Sequence, residues 1–376
     1  MNILQVLPEL NAGGVERTTI EIAQALTSAG HVPHIACAGG RMEDELKAAG
    51  GILHKLNIGS KNPLTLRGNT KALRAIIKAY NIDIVHARSR APAWPAKAAA
   101  HEMGIPFITT YHGIYNAKSG LKRAYNAVMA KGDIVIANSE FTKAHILKEH
   151  GTAPDKIVVI PRGVDMAVFD PALVDGAETA RLKLEWGVGD NPVILLPGRL
   201  TRWKGQLVAV KALKLLDTQA VLVLLGDAQG RDEYVAEIET KTAELALDGR
   251  VIIAGHSRSM PAALMTANVV ISASTDPEAF GRIVAEAQAM ERLVVASNHG
   301  GARETIIDGA GGYLVTPGDA QALADGIGNV LALPQSEYIA RAKTAQKRIG
   351  ATYSAAALKT ATLAVYEQAL KKRSGK

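Results

Sequence analysis

The sequence predicts an α/β protein with two parallel β-sheets in series. Short runs rich in β-branched residues alternate with longer amphipathic segments, which is the pattern of repeated β-α-β units. Seven such runs precede residue 161, and the pattern starts again between Pro192 and Ser297. With 376 residues, the chain is long enough for two domains that each bury a core of their own.

In the first half, the strand-like runs are NILQVL, VPHIAC, ILHKL, DIVHA, PFITTY, DIVIA and KIVVI. In the second half, they are PVILLPG, AVLVLLG, RVIIAG, NVVISAS and RLVVAS. The glycine pairs 300–301 and 311–312 that follow predict turns. Residues 166–191 carry several glycines and an Asp-Pro pair without a strand-like run, so we predict a linker there. The predicted domains are therefore residues 1–165 and 192–353, with an Ala-rich helix at 354–373 that completes the first domain.

The composition is that of a soluble globular protein, with 48% hydrophobic and 21% charged residues. No apolar run approaches the length needed to cross a bilayer, and the amino terminus has no signal-peptide pattern. Cys37 is the single cysteine and lies in an apolar run, so it predicts a buried thiol and excludes an internal disulfide. These features predict a cytoplasmic protein.

Positive charge is concentrated in the first half of the chain. Residues 55–148 contain 15 lysines and arginines against four acidic residues, within a net charge of +7. Some of these cations recur at helical spacing or follow a glycine-containing turn: Arg67, Lys71, Arg74, Lys78, Lys118, Lys122 and Arg123. Such surfaces attract anionic lipid headgroups, phosphorylated glycans or nucleic acid, and the alternative is a solvated helix face. We expect a peripheral contact with an anionic membrane and no nucleic acid, because no aromatic residues are interleaved with the basic clusters.

The segment PEAFGRIVAEA, residues 277–287, is the strongest indication of a ligand site. It places Glu278 in a glycine-containing turn and Glu286 eight residues later in a predicted helix. Gly281 allows the tight turn, and the amides that would open the helix as unpaired donors belong to Arg282, Ile283 and Val284. A helix start attracts phosphate, and carboxylates bind sugar hydroxyls, so the segment predicts a sugar-nucleotide site. The alternative is a surface helix with two unrelated glutamates.

Further candidates lie in the loops after predicted strands, where open parallel sheets bind ligands. Gly13 and Gly14 precede a helix and predict either a ligand loop or a simple turn. Arg199 and Lys204 follow PVILLPG, and they are suited to neutralise a departing diphosphate unless they are merely solvated. His112, beside a glycine at a strand end, is suited to orient a sugar hydroxyl, although a lone histidine is more often structural. Because the sequence has no D-x-D motif and no His/Cys ligand spacing, we expect no metal.

Together these motifs resemble glycosyltransferase family 4, and within it the bacterial transferases of lipopolysaccharide core and other envelope glycans. The resemblance implies the GT-B fold, in which two Rossmann-like domains face a cleft. It also implies that Arg199 and Lys204 hold the donor diphosphate and that Glu286 bonds the ribose hydroxyls. Glu278 would bind the donor sugar together with amides near Phe280 and Gly281. By the same resemblance, His112 lies at the reacting face of the sugar, and Gly13 and Gly14 approach the phosphate or the acceptor.

The activity implied is the retaining, metal-independent transfer of a hexose from a nucleotide diphosphate sugar to a hydroxyl of an envelope glycan or glycolipid. UDP is favoured over GDP as the nucleotide. The candidate acceptor contacts are Arg88, Arg162 and Lys118; Arg162 stands where family members commonly have asparagine. Arg282 replaces a commonly apolar residue and adds a cation near the diphosphate or the acceptor. A sugar-nucleotide epimerase and a non-catalytic sugar-nucleotide-binding relative remain as alternatives.

Overall fold

The computed structural model describes residues 1–11, 13–115, 119–257, 259–373 and 375 of the chain. The chain folds into two compact units. One comprises Met1–Pro161 with Ala355–Lys376, and the other comprises Arg162–Ser354. Each unit contains a parallel β-sheet with helices against it, which confirms the predicted α/β class with two Rossmann-like domains.

Within the described residues, the strands of the first unit are β1 (Asn2–Val6), β2 (Val32–Cys37), β3 (Ile52–Lys55), β4 (Ile84–Ala87), β5 (Phe107–Tyr111), β6 (Ile134–Ala137) and β7 (Ile157–Val159). Its helices are α1 (Gly14–Ser28), α2 (Glu43–Ala48), α3 (Pro63–Ala79), α4 (Arg90–Glu102), α5 (Gly120–Asn126) and α6 (Glu140–His150). The strands form one parallel sheet in the order β3-β2-β1-β4-β5-β6-β7.

The described strands of the second unit are β8 (Val193–Pro197), β9 (Val221–Leu225), β10 (Val251–Gly255), β11 (Val269–Ser272), β12 (Val294–Ser297) and β13 (Gly312–Val315). Its helices are α7 (Gly176–Glu185), α8 (Gln206–Leu215), α9 (Asp232–Glu244), α10 (Met260–Thr266), α11 (Arg282–Ala289), α12 (Ala302–Thr305), α13 (Ala320–Leu331) and α14 (Gln335–Thr352). Helix α15 (Ala355–Arg373) then returns to the first unit. The second sheet is also parallel, in the order β10-β9-β8-β11-β12-β13.

All twelve strand-like runs of the sequence form strands, but β13 was not predicted. The glycines at 311–312 predict a turn, whereas Gly312 begins a strand that pairs with β12. A Cβ atom at Gly312 would overlap the carbonyl oxygen of Val294. The glycine is therefore needed for close strand pairing, and a strand of four residues that begins with glycine resembles a loop in the sequence.

Several helices begin at side chains that accept their first free amides. Asn62 precedes α3, and its Oδ1 accepts a hydrogen bond from the Leu64 amide at 2.9 Å. The hydroxyl of Ser139 accepts from the Thr142 amide at 3.0 Å and caps α6 in the same way. Such caps satisfy donors that have no partner within the helix, so these polar residues set where the helices start.

The first sheet buries apolar side chains on both faces because successive residues of a strand point to opposite sides. On β1, Leu4 packs in a cluster with residues of α3 and α4. Its neighbour Ile3 packs in a second cluster with residues of α1 and α15, among them Leu358 and Tyr366. The carboxy-terminal helix therefore supplies part of the core of the first unit. No helix in the described part of the chain has both the length and the apolar character to span a bilayer.

A buried polar network joins α15 to this sheet. The hydroxyl of Tyr366 lies 2.7 Å from His86 Nδ1, and His86 Nε2 lies 2.7 Å from the hydroxyl of Thr110. Burial holds the pKa of His86 well below its ordinary value, so the ring is neutral. Beside it, the guanidinium of Arg88 donates from Nε and Nη2 to Gln5 Oε1 at 2.9 and 2.7 Å. The contact between Tyr366 and His86 connects residues 280 positions apart in the sequence.

The segment predicted as a linker, residues 166–191, belongs to the second unit. It contains α7, whose Leu182 and the following Trp186 are both 4% exposed. They pack with Ala262, Ala263 and Leu264 of α10 in the core on one face of the second sheet. Leu182 and Trp186 are four positions apart and so lie on one helix face, a signal that the neighbouring glycines had obscured.

Two stacked histidines occupy the edge of the first sheet. His34 on β2 is 2% exposed, and its Nδ1 lies 3.0 Å from Nε2 of His54 on β3. The ring of Tyr80 packs against both imidazoles. Burial, with a contribution from the adjacent His54, lowers the pKa of His34 to about 4. Burial also lowers the pKa of His54.

We therefore expect the folded state to lose stability in mild acid. The unfolded chain binds a proton at His34 near pH 6.5, whereas the folded chain binds it only near pH 4. The contribution of buried, neutral His34 to the free energy of unfolding is thus complete above pH 6.5. It falls as the pH drops from 6.5 to 4, with a slope of up to about 1.4 kcal/mol per pH unit. In His34→Asn, urea unfolding between pH 7 and pH 5 should show a flatter profile. Parallel profiles for the two proteins would contradict this assignment.

Candidate active site

A cavity of about 580 Å³ lies at the carboxyl ends of β8 and β11 in the second unit. This is the edge at which open parallel sheets bind ligands. We refer to it as the Lys204 cavity. Its lining residues are Phe169, Pro197, Gly198, Arg199, Trp203, Lys204, Met260, Glu278, Arg282, Ile283 and Glu286. The structure thus brings most of the predicted donor-site residues of the second unit into one pocket.

Lys204 reaches the cavity from a 3₁₀ turn that follows β8. Gly205 ends this turn with a φ of 74°, and a Cβ atom there would overlap the carbonyl oxygen of Ala273, beyond the end of β11. The turn therefore packs directly against the neighbouring strand end, which only glycine permits. The ammonium group of Lys204 lies 4.6 Å from the centre of the Trp203 ring and 2.7 Å from Glu278 Oε1. Lysine and glutamate are thus already paired across the pocket.

The turn that carries Glu278 is held from several sides. The hydroxyl of Ser274 donates to Glu278 Oε1 at 2.6 Å, and the amide of Gly301 donates to the Glu278 carbonyl at 2.9 Å. A Cβ atom at Gly300 would overlap the same carbonyl oxygen. The side chains of Lys204 and Glu278 are 14% and 18% exposed. The predicted turn at 300–301 is therefore a support that fixes the position of Glu278.

Helix α11 begins at the floor of the cavity. Gly281 precedes it with a φ of 75°, and the helix offers the amides of Arg282 and Ile283 at its start. The expectation that the Val284 amide is also free was wrong, because it donates to the Gly281 carbonyl at 3.0 Å. The first turn closes tightly behind the left-handed glycine, so one of the three predicted amides is already bonded within the helix start.

Glu286 lies one turn further along α11 and is 8% exposed. Arg282 Nη2 and Nε lie 2.7 and 3.2 Å from its Oε1 atom. Burial raises the pKa of the Glu286 carboxyl, and the Arg282 guanidinium lowers it in part. The pair has the i,i+4 spacing of helix salt bridges, so the Arg282 guanidinium favours the charged carboxylate at the pocket wall and opposes the larger effect of burial.

Arg199 has an exposed side chain, and within the described residues no ion pair involves it. Its carbonyl accepts a hydrogen bond from Gln206 Nε2 at 3.0 Å, which fixes the backbone of the loop. Arg202, between Arg199 and Lys204, instead pairs with Glu237 and lies over the Tyr234 ring. The loop therefore presents two cations to the cavity and directs a third away from it.

The structure does not bring every predicted residue to this cavity. The side chain of Phe280 belongs to the core, 3% exposed and with its ring centre 5.8 Å from that of Tyr353, so only its backbone amide is left for the predicted sugar contact. Arg162 is half-buried at the start of the second unit and does not line the cavity. Gly281 and Val284 belong to the start of α11 but are not among the lining residues. The other predicted positions precede the second unit in the sequence: Gly13, Gly14, Arg88, His112 and Lys118.

Within the first unit, Gly13 and Gly14 lie at the start of α1, and Gly13 has a φ of 139°. His112 follows β5, and its carbonyl accepts from Asn138 Nδ2 at 3.1 Å. Arg88, predicted as an acceptor contact, is only 3% exposed and is committed to Gln5. A cation at a strand end can turn into the sheet when a neighbouring strand supplies an acceptor, which the sequence alone does not reveal. Lys118 lies outside the described residues.

Sequence reasoning missed the apolar side chains of the cavity. Phe169, Met260 and Trp203 line it beside the charged groups, and Ser274 supports Glu278. Ser274 lies just after β11, so it could have been predicted from the rule that ligand residues follow the carboxyl ends of parallel strands. The loop from about Gly255 to Met260 was expected to read the nucleotide base through backbone groups, so the lining by the Met260 side chain was not anticipated. No sequence signal identified Phe169. Among the described residues, no cluster of three or more histidine, cysteine or acidic side chains is suited to hold a metal ion.

Two protein-family models match the chain: Glycosyltransferase Family 4 over residues 12–168 and Glycosyl transferases group 1 over residues 182–348. The D-inositol 3-phosphate glycosyltransferase of Xylanimonas cellulosilytica is 32% identical over 309 residues, which are 77% of this chain and 73% of that protein. A crystal structure of a glycosyltransferase from Rickettsia africae superposes with a TM-score of 0.91 at 38% identity, over 98% of both chains. Anabaena HepE, solved with UDP and glucose, shares the fold with a TM-score of 0.83 at 23% identity, over 98% of this chain and 100% of that one.

Two Rossmann-like units, with a cavity of cations and carboxylates at the carboxyl edge of the second sheet, define a glycosyltransferase of the GT-B class. The matches extend over both units and agree with the resemblance that the sequence motifs indicated. The chain belongs to glycosyltransferase family 4.

Proposed function

We propose that the chain is a retaining, metal-independent hexosyltransferase that uses a UDP-sugar and glycosylates a hydroxyl of an envelope glycan or glycolipid, such as lipopolysaccharide core. The observation that carries this proposal is the Lys204 cavity itself. It combines three cations, the start of a helix and two carboxylates within one pocket. These are the groups that a diphosphate joined to two sugars requires.

The diphosphate is assigned to the cationic side of the cavity. As the bond between the anomeric carbon and the diphosphate oxygen breaks, negative charge builds on the departing phosphate. Lys204 and Arg199 stabilise that charge, and the amides of Arg282 and Ile283 add the positive end of a helix dipole. Because the Lys204 ammonium is already placed by Glu278 and Trp203, it needs little reorganisation during the reaction.

The two carboxylates are assigned to the sugars at either end of the diphosphate. Glu278, in its rigid turn, accepts hydroxyl groups of the donor hexose. Glu286, bonded by Arg282 at the pocket wall, accepts the ribose hydroxyls. Binding each sugar on a separate carboxylate fixes the diphosphate between them. The roles of Gly13, Gly14 and His112 stay predictions from the family resemblance.

The choice of nucleotide and acceptor follows from the relatives. HepE was solved with UDP and glucose, so UDP-glucose is the first donor to test. The relative from Xylanimonas is named for an inositol phosphate acceptor, a polyhydroxylated ring with an anionic group. The basic surplus of the first half agrees with an acceptor at an anionic membrane surface, where the protein is proposed to act.

The proposal is tested with Glu286→Gln and a panel of UDP- and GDP-sugars. UDP-sugar binding by calorimetry should weaken roughly tenfold in the variant, because one charge-assisted hydrogen bond to ribose is lost. Glu291→Gln, on a half-buried residue two positions past α11 that does not line the cavity, serves as the matched control and should keep wild-type affinity. Transfer with EDTA should equal transfer with added Mg²⁺. Tighter binding of GDP-sugars, a need for metal, or an epimerised donor as the product would contradict the corresponding part of the proposal.

A further inference from the structure

A second cavity lies at the carboxyl edge of the first sheet. Its volume is about 760 Å³, and it lies beside Pro8, which follows β1, and Ser89, which follows β4. We refer to it as the Arg90 cavity. The polar and aromatic side chains that line it are those of Lys61, Ser89, Arg90, Ser119, Lys122 and Tyr125. By the rule for open parallel sheets, this is the ligand-binding edge of the first unit.

The charge of the Arg90 cavity has one sign. Lys61, Arg90 and Lys122 line it, and none of its lining residues is acidic. Within the described residues, no carboxylate lies within ion-pair distance of these three cations. Other cations of the same basic region are neutralised: Arg123 lies 3.6 Å from Glu149. The positive potential of this cavity is therefore uncompensated, and a ligand anion would gain from all three groups.

Arg90 is held in place by neutral groups. Its Nη1 donates to Asn126 Oδ1 at 3.0 Å, and its guanidinium lies 4.5 Å from the centre of the Tyr115 ring. Asn126 is fully buried, and its Nδ2 donates to the Tyr115 carbonyl at 3.2 Å. An arginine oriented in this way keeps its full charge and presents the remaining donors of its planar fork. That geometry suits the oxygens of a phosphate better than a single hydroxyl.

An aromatic wall adjoins the cations. The Tyr125 ring stacks on Trp94 with centres 6.3 Å apart, and the ammonium of Lys61 lies 5.7 Å from the Tyr125 ring centre. The neighbouring Leu121 is 87% exposed. Stacked rings with an exposed apolar side chain provide a flat surface for a ring-shaped ligand, while the cations hold its anionic substituent.

We propose that the Arg90 cavity binds a phosphate group carried by the acceptor, so that the acceptor of this enzyme is a phosphorylated polyol or glycan. This inference rests on the proposed function, because it names the acceptor class of that reaction. Arg90 and Lys122 bind the phosphate oxygens, Lys61 adds charge, and the Tyr125 wall receives the acceptor ring. Three unpaired cations would give a neutral acceptor no advantage, whereas each charged hydrogen bond to phosphate strengthens binding.

The test compares an anionic probe with its neutral counterpart. The donor cavity is first saturated with UDP, and myo-inositol 1-phosphate or neutral myo-inositol is then titrated by calorimetry. We expect the phosphate to bind at least tenfold more tightly than inositol. Arg90→Gln and Lys122→Gln should each weaken phosphate binding about tenfold or more. Arg123→Gln is the matched control, because Arg123 is adjacent to Lys122 but is paired with Glu149, and it should keep wild-type affinity.

A second arm identifies the source of the phosphate. Vesicles containing phosphatidylinositol are compared with soluble inositol phosphate, using the same three variants. Preference for vesicles that is lost in Arg90→Gln and Lys122→Gln supports a lipid acceptor, and preference for the soluble probe supports a free sugar phosphate. Equal affinity for the neutral and phosphorylated probes would overturn the inference. An equal loss of phosphate binding in Arg123→Gln would also overturn it, because binding would then follow general surface charge.

The measurements distinguish an error in the phosphate assignment of the Arg90 cavity from an error in the proposed donor chemistry. Wild-type protein that discriminates the phosphate probe but binds no nucleotide sugar counts against the proposed donor chemistry alone. Wild-type protein that binds and transfers from a nucleotide sugar but does not discriminate the phosphate counts against the Arg90 cavity alone. Lys122→Gln alters an exposed side chain. Its result is therefore informative even if Arg90→Gln disturbs folding.

Discussion

Replacing Lys204 with alanine is expected to reduce the transfer rate about 100- to 1000-fold. This is the usual cost of removing one preorganised group that stabilises developing charge, about 3 to 4 kcal/mol of the barrier. The ammonium lies 2.7 Å from Glu278 and against the Trp203 ring, so alanine removes both the charge and its fixed position. The measurement is kcat/KM for transfer from UDP-glucose, together with the affinity for UDP.

Arg202→Ala is the matched control for this experiment. Arg202 belongs to the same turn but pairs with Glu237 and lies over Tyr234, away from the cavity. Its loss should leave kcat/KM within about twofold, because exposed ion pairs contribute little. If Lys204→Ala retained turnover within a few-fold of wild type, the assignment of Lys204 to the departing diphosphate would be wrong.

Tyr366→Ala should lower the free energy of unfolding of the first unit by about 3 to 5 kcal/mol, the typical cost of deleting a buried aromatic ring. Tyr366 is fully buried in the core formed by α1, α15 and the sheet. Its hydroxyl also bonds His86, and hydrogen bonding to Tyr366 supports the charged form of buried Arg88. Hydrogen exchange of peptides from β4 and β5, combined with thermal unfolding, measures the effect where it arises.

Two further variants separate the contributions of the ring and the hydroxyl. Tyr366→Phe keeps the ring and should cost about 1 to 3 kcal/mol, because it leaves buried polar partners unsatisfied. Gln368→Ala, on the exposed face of the same helix, should change stability by less than about 0.5 kcal/mol. Equal destabilisation by Tyr366→Ala and Gln368→Ala would mean that α15 does not depend on this contact.

The periodic parts of the fold were predictable because burial on both faces of a parallel sheet produces continuous apolar runs. β13 was not predicted because its main determinant, the close approach of Gly312 to Val294, involves two strands and leaves no local pattern in the sequence. Helix α7 was not predicted because its flanking glycines gave a strong local indication of a linker. The burial of Leu182 and Trp186 against α10, which stabilises the helix, depends on tertiary packing.

In the candidate site, too, local patterns were predictable and tertiary contacts were not. The residue types and loop positions of Lys204 and Glu278 were apparent in the sequence, but their pairing across 74 positions was not. The Arg282–Glu286 pair has a local i,i+4 spacing that the sequence does reveal. Whether a cation at a strand end faces solvent or the core was not predictable. Arg88 and Arg90 are two positions apart, yet the first is buried against Gln5 and the second lines a cavity.

The path of the chain also determines which of the two units is completed first during synthesis. The second unit, Arg162–Ser354, is contiguous, whereas the first unit needs Ala355–Arg373 to complete its core. On the ribosome, the amino-terminal sheet therefore waits with an uncovered apolar face while some 190 further residues are added. The domain made first is the last to be finished, so its uncovered apolar face is the part of the nascent chain that a chaperone would cover.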